Sequence, residues 1–214
     1  MLTCPHRGRL PYVERDESWM YFNKRILLEA RRPDLPLLER FNYLGIYSNN
    51  LDEFFRVRVA SLRRIIDSGT NILETERKIA RETLLTILRL NKEYSALFDE
   101  TFTQLVKELR NAHIHLINEQ ELSTKQEDEV LAFFMDKLSG ITNPIFIDSL
   151  TFLPEQHLKE SLYLAVVLWH EQGEPVEKHD IALLEVPTKE LGRFLRLKDE
   201  GDESYLMFLE DVLR

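Results

Sequence analysis

The chain has 214 residues, 43% of them hydrophobic and 30% charged, enough for one generous domain or two small ones and unlike a disordered segment. Its net charge of −9 argues against general nucleic-acid binding, and no apolar run approaches the roughly 18–20 residues of a membrane span. Met1 to Arg7 lacks the apolar core of a signal peptide, and the single cysteine, Cys4, has no partner for an internal disulfide. The expected compartment is therefore the reducing cytoplasm, with or without peripheral attachment to a membrane. The charge is uneven: residues 1–67 carry +3 and residues 68–214 carry −12. A basic front on an acidic chain is either ordinary solvated surface or a place for an anion.

Residues 1–14, with Pro5, Gly8 and Pro11, show no periodicity and read as an irregular arm. A helical domain is expected over 15–112. Its first helix opens at Asp16 or Ser18, both good N-caps, and presents Trp19, Phe22, Ile26 and Ala30 on one face. Pro33 stops it, and Pro36 starts a second helix with Leu37, Leu38, Phe41, Leu44 and Tyr47 facing the core. Ser48, Asn49 and Asn50 interrupt the pattern, and Asn50 with Glu53 reads as a capping box for a third helix over Leu51 to Ile66. Its apolar positions are Phe54, Val57 or Arg58, Leu62 and Ile65, and Gly69 closes it. Glu74 to Asn111 contains no proline or glycine and carries Ile87, Leu90, Tyr94, Leu97, Phe98, Phe102, Leu105 and Leu109 at spacings of three and four. It reads as one long helix, or two end to end, packed on the shorter ones as an antiparallel bundle.

Over 113–214 a partial α+β domain is expected. His113 to Ile117 alternates like a strand, and Ser123 with Gln126 is a capping box for a helix to Lys137. Gly140, Asn143 and Pro144 break that helix. Leu162 to Trp169 reads as a buried strand, Glu171 to Pro175 as a turn, Ile181 to Val186 as its hairpin partner and Phe194 to Leu197 as a third strand. Leu206 to Arg214 has a helical pattern without a stop signal, the expectation for a cut inside a longer protein.

Chemistry-bearing motifs are absent. His6, His113, His115, His157, His170 and His179 have no metal-ligand spacing, and no phosphate-cradling glycine loop or nucleophile elbow occurs. His113 and His115 can share one strand face, where a structural role outweighs metal binding.

Three stretches resemble the polyphosphate kinases that work through a phosphohistidine. Glu17 to Ala30 is similar to the family's E-L-S-W-x-x-F-N-x-R-V-L-x-E-A. Pro36 to Arg58 is similar to P-L-[IL]-E-R-x-x-F-L-x-I-x-S-N-N-L-D-E-F-[FY]-x-V-R, and Leu184-Glu185-Val186-Pro187 to L-[EQ]-[IV]-P. The likeness runs from Arg15 to the C-terminus and is strongest over 17–64. It implies the helical N-terminal domain and part of the head domain of a four-domain enzyme. That enzyme reversibly moves the terminal phosphate of ATP onto inorganic polyphosphate, with Mg2+ and histidines lying beyond Arg214. It further implies self-association as a dimer or higher through the N-terminal and head domains, and no activity for these residues alone.

The resemblance also implies that Asn50, the second Asn of S-N-N, contacts ATP, whereas the residues alone favour a helix cap; both can hold. An amide carries an acceptor and a donor suited to the polar edge of adenine. Arg56, Arg58 and Arg63 follow on the same helix and suit phosphate, Arg56 and Arg63 sharing a face at a spacing of seven. Arg58 is alternatively a structural anchor for Asp52 or Glu53. Trp19, Phe22, Phe41 and Phe55 read as core. The competing reading is a non-catalytic helical module that binds polyphosphate or a protein partner.

Overall fold

A computed structural model describes residues 13–68, 73–147, 158, 161–168 and 180–214. Most of the expected arm, Gly69, Trp169, the 171–175 turn, Cys4 and His6, His157, His170 and His179 lie outside the described residues. The chain divides after Glu108 into two compact units.

In the first unit, α1 spans Arg15–Glu29. Its N-cap is Glu14, whose carboxylate accepts from the Asp16 and Glu17 amides at 2.6 and 3.2 Å, so neither Asp16 nor Ser18 serves as the cap. Asp16 instead turns inward. The buried face is Asp16, Met20, Asn23 and Leu27, one position away from the expected Trp19, Phe22 and Ile26; Ala30 is buried as expected, Trp19 and Ile26 flank the face, and Phe22 is 49% exposed.

α2 spans Leu37–Phe54 and runs unbroken through Ser48, Asn49 and Asn50. The expected break does not occur. None of the three is Gly or Pro, and the packing of Leu44, Tyr47 and Phe54 outweighs the weak helix propensity of Ser and Asn. The disturbance in the periodicity comes from a π turn, Phe55–Val59, which leads into α3, Ala60–Asp67. A π turn adds one residue to the helical repeat and so shifts the phase by about 100°. Val59, five residues after Phe54, is therefore buried, while Val57 stays exposed and Arg58 lies to the side.

α4 is one helix, Glu74–Asn111, about 57 Å long at the standard rise. Ile87, Leu90, Tyr94 and Leu105 form its buried stripe against α1 and α2. Lys24 meets Glu93 and Arg31 meets Glu100, so α1 and α4 run side by side in the same sense. α2 runs against both: Arg40 binds Glu108, and Tyr47 packs on Phe98. Arg40 is buried and also donates to the Ala30 carbonyl at 2.9 Å, pinning the α1–α2 corner.

The second unit holds two three-stranded sheets. β1 (Ile114–Ile117) pairs in parallel with β6 (Ser204–Phe208), and β5 (Phe194–Arg196) pairs antiparallel with β6. β2 (Pro144–Ile147) and β3 (Leu162–Leu168) flank β4 (Asp180–Val186), all antiparallel. α5, Thr124–Phe133, carries the expected capping box, with Gln126 accepting from the Ser123 amide at 3.0 Å.

Two expectations fail here. Leu206 to Phe208 is strand, because β6 is paired on both sides, and only Leu209–Val212 forms a helical turn. The helical segment ends at Leu138, before Gly140, Asn143 and Pro144 as expected, and Pro144 opens β2, where a proline is tolerated as the first residue of an edge strand. The end of β3 is exposed at Val166, Val167 and Leu168 rather than buried.

Candidate functional site

The antiparallel approach of α1 to the α2–π turn segment leaves an open groove of about 670 Å3. Its apolar wall is Trp19 stacked on Phe54, with ring centroids 4.0 Å apart and planes at 5°. Exposed Phe22 and Val57 stand at its rim, so Phe22 is a groove residue and not core, while Trp19 is both packed and groove-lining. Phe41 and Phe55 pack against the core as expected.

Asn50 lines the same groove from within α2, four residues before its last, and does not cap a helix. Its Nδ2 donates to Asn23 Oδ1 at 3.3 Å, and Asn23 Nδ2 donates to the Tyr47 carbonyl at 3.1 Å. Asn50 Oδ1 has no partner among the described residues.

Arg58 also lines the groove. Its partner is Asp16, not Asp52 or Glu53: Nε to Oδ1 at 2.9 Å and Nη2 to Oδ2 at 3.0 Å. Asp16 is only 3% exposed. Burial pushes its carboxyl above the usual range and the Glu14 carboxylate adds to this, opposed by Arg15. The Arg58 fork favours the ionised form. Arg58 Nη1 has no protein partner among the described residues, so the groove keeps a cationic edge beside its apolar wall.

The other two arginines stand elsewhere. Arg56 pairs with Asp52 at 2.7 Å, Arg63 is exposed with no ion-pair partner among the described residues, and neither lines the groove. Arg56 sits inside the π turn and Arg63 beyond it, so a spacing of seven does not return to the same face. Asn23 and the inward Asp16 were missed from the sequence. Both interrupt an otherwise apolar stripe at spacings of three and four with Met20 and Leu27, and a polar residue in such a stripe is the signal that marks them.

His113 and His115 do share a partner: His113 Nδ1 and His115 Nε2 lie 2.7 and 2.5 Å from the two oxygens of Glu203. Among the described residues, no group of three His, Cys, Asp or Glu is arranged to hold a metal ion, and no helix is long and apolar enough to cross a membrane.

A helical unit carrying this groove is thus followed by a small mixed α/β unit. Residues 12–117 match the Polyphosphate kinase N-terminal domain and residues 125–214 the Polyphosphate kinase middle domain. The polyphosphate kinase of Escherichia coli (strain K12) is 34% identical over 209 residues, 95% of this chain and 29% of the relative. That of Vibrio parahaemolyticus is 31% identical over 211 residues, 95% of this chain and 28% of the relative. The crystal structure of polyphosphate kinase from Porphyromonas gingivalis superposes with a TM-score of 0.77 at 29% identity, covering 96% of this chain and 30% of that one. The chain belongs to the polyphosphate kinase family, a family of phosphotransferases, and spans under a third of the length of these relatives.

Proposed function

We propose that the complete polypeptide carrying this sequence reversibly transfers the terminal phosphoryl group of ATP to inorganic polyphosphate, and that this chain supplies the base-binding end of its ATP site. The observation that carries this is the position of Asn50. Its free Oδ1 stands on the wall of an open groove, beside the Trp19–Phe54 stack and the unengaged Nη1 of Arg58. Asn50 meets the polar edge of the base, the aromatic wall covers its apolar face, and Arg58 faces phosphate. Arg56 and Arg63, outside the groove, are placed to serve the polymer and not ATP.

The histidine nucleophile belongs to sequence beyond Arg214, and the 214 residues alone are expected to be inactive. Mg2+ would screen the transferred phosphates, but the described residues offer it no ligand cluster, and this chain's part in the site does not depend on it. Self-association runs through these two domains, and the compartment is the cytoplasm.

The test is ATP-dependent polyphosphate synthesis by the complete polypeptide, wild type against Asn50→Ala. A KM for ATP raised about tenfold with little change in kcat supports the contact. Unchanged kinetics with a lowered Tm reduce Asn50 to a packing residue. If no polyphosphate forms, the kinase assignment falls and a non-catalytic module binding polyphosphate or a protein replaces it.

A further inference from the structure

We propose that Asn23 is a positioning residue that fixes which end of the Asn50 amide faces the groove, and so selects a base with an exocyclic amine, adenine, over its 6-oxo counterpart. This rests on the reading of Asn50 as an ATP contact and adds to it the origin of base preference.

The argument starts at a backbone carbonyl. The Tyr47 C=O can only accept a hydrogen bond, and Asn23, 1% exposed, meets it with Nδ2 at 3.1 Å. Turned end for end, Asn23 would set its own oxygen against that carbonyl with no proton between them, in a place where water cannot compensate. The α2 backbone therefore dictates the orientation of Asn23. Its Oδ1 then faces Asn50 and can only accept, so Asn50 must offer Nδ2, as it does at 3.3 Å. Flipping Asn50 would again oppose two acceptors.

The result is a relay from the Tyr47 carbonyl through Asn23 to Asn50 that leaves the Asn50 carbonyl oxygen free on the groove wall. A free amide oxygen accepts from the 6-amino group of adenine. The 6-oxo group of hypoxanthine brings a second acceptor to the same point. A site built to pair with an N–H rejects the analogue that lacks it.

The test compares KM and kcat for ATP and ITP in polyphosphate synthesis by the complete polypeptide, as wild type, Asn50→Ala, Asn23→Leu and Asn23→Ser. Leucine keeps the volume of Asn23 and serine keeps polarity without its reach, so one can report if the other fails to fold. Wild type is expected to show a KM for ITP about tenfold or more above that for ATP. Freed from the relay, Asn50 can present either end, so both Asn23 variants should bring the two KM values within about twofold while kcat stays within about threefold. A merely structural Asn23 would lower Tm or kcat for both nucleotides and leave the KM ratio as in wild type, which overturns the proposal. A wild type indifferent to ATP and ITP overturns it as well. If Asn50→Ala leaves the KM for ATP unchanged, the ATP contact itself falls and the relay with it. If Asn50→Ala raises that KM while the Asn23 variants keep the ratio, only the positioning role is lost.

Discussion

Arg58 holds Asp16 through both carboxylate oxygens across 42 residues of sequence, joining the first turn of α1 to the π turn that follows α2. Asp16 is buried, whereas the Arg58 side chain remains 38% accessible, so the two ends of this bond are unequal. Removing the arginine strands a carboxylate inside the unit; removing the carboxylate leaves an arginine that water can solvate. Arg58→Ala should therefore cost about 2–3 kcal/mol of unfolding free energy, and Asp16→Asn less. Urea denaturation at neutral pH measures both, and an Arg58→Ala loss below about 0.5 kcal/mol would show that the fork does not bind the helices together.

Tyr47 buries its hydroxyl with no hydrogen-bond partner among the described residues, and its ring stacks on Phe98 at 5.8 Å. Burial pushes its phenol from 10.0 up to about 12, with Tyr94 adding to the effect. The sign follows from the raised value: below pH 10 both folded and unfolded chains keep the proton. Between 10 and about 12 only the unfolded chain releases it. Stability should then fall by about 2–3 kcal/mol across that window, on top of any other alkaline losses. Tyr47→Phe should be neutral to slightly stabilising at pH 7 and should remove this increment, seen as a shallower alkaline decline in Tm.

Trp19 and Phe54 lie face to face, and one face of the pair borders solvent. Trp19→Ala should destabilise by about 2–4 kcal/mol through lost packing. Trp19→Phe should recover most of that stability while offering a smaller wall to a base. Thermal melts separate the two variants, and nucleotide KM in the complete polypeptide reports the wall.

Glu203 bridges His113 and His115, and the hydrogen bonds from these two imidazoles hold its carboxyl below the usual range. A depressed carboxyl stabilises the fold above its unfolded value, and that contribution disappears as pH falls through the folded value. Wild type should be more stable than Glu203→Gln near neutrality, with the two melting curves converging in acid. A constant gap from pH 7 to pH 3 would rule out the bridge as its source.

The elements that could be read from the sequence were those whose pattern survives packing unaltered. Glu74 to Asn111 has no breaker and one unbroken stripe, and Ser123 with Gln126 forms the capping box its spacing implies. Asn50 was legible as a groove residue only through resemblance. Its helical surroundings were misread because Ser48, Asn49 and Asn50 are residue types that favour caps and turns, yet here they lie inside α2. The phase shift at Phe55–Val59 hid the pairing of Arg58 with Asp16, two residues that no local pattern connects. Leu206 to Phe208 looked helical because a five-residue strand is too short for alternation to be distinguished from a helical face, and only pairing with β1 and β5 decides it.

The π turn at Phe55–Val59 also acts as a ruler. Asn50 stands on one side of it and Arg58 within it, and both face one groove only because the helix holds one residue more than a regular repeat would. Deleting a single residue between them would restore a regular helix of seven steps and keep Arg58 on the same face, whereas adding one would swing it by about a quarter turn, away from Asp16 and the groove. A shortening by one residue is thus absorbed by the helix, while a lengthening is not. The eight-step interval from Asn50 to Arg58 behaves as a single unit of information.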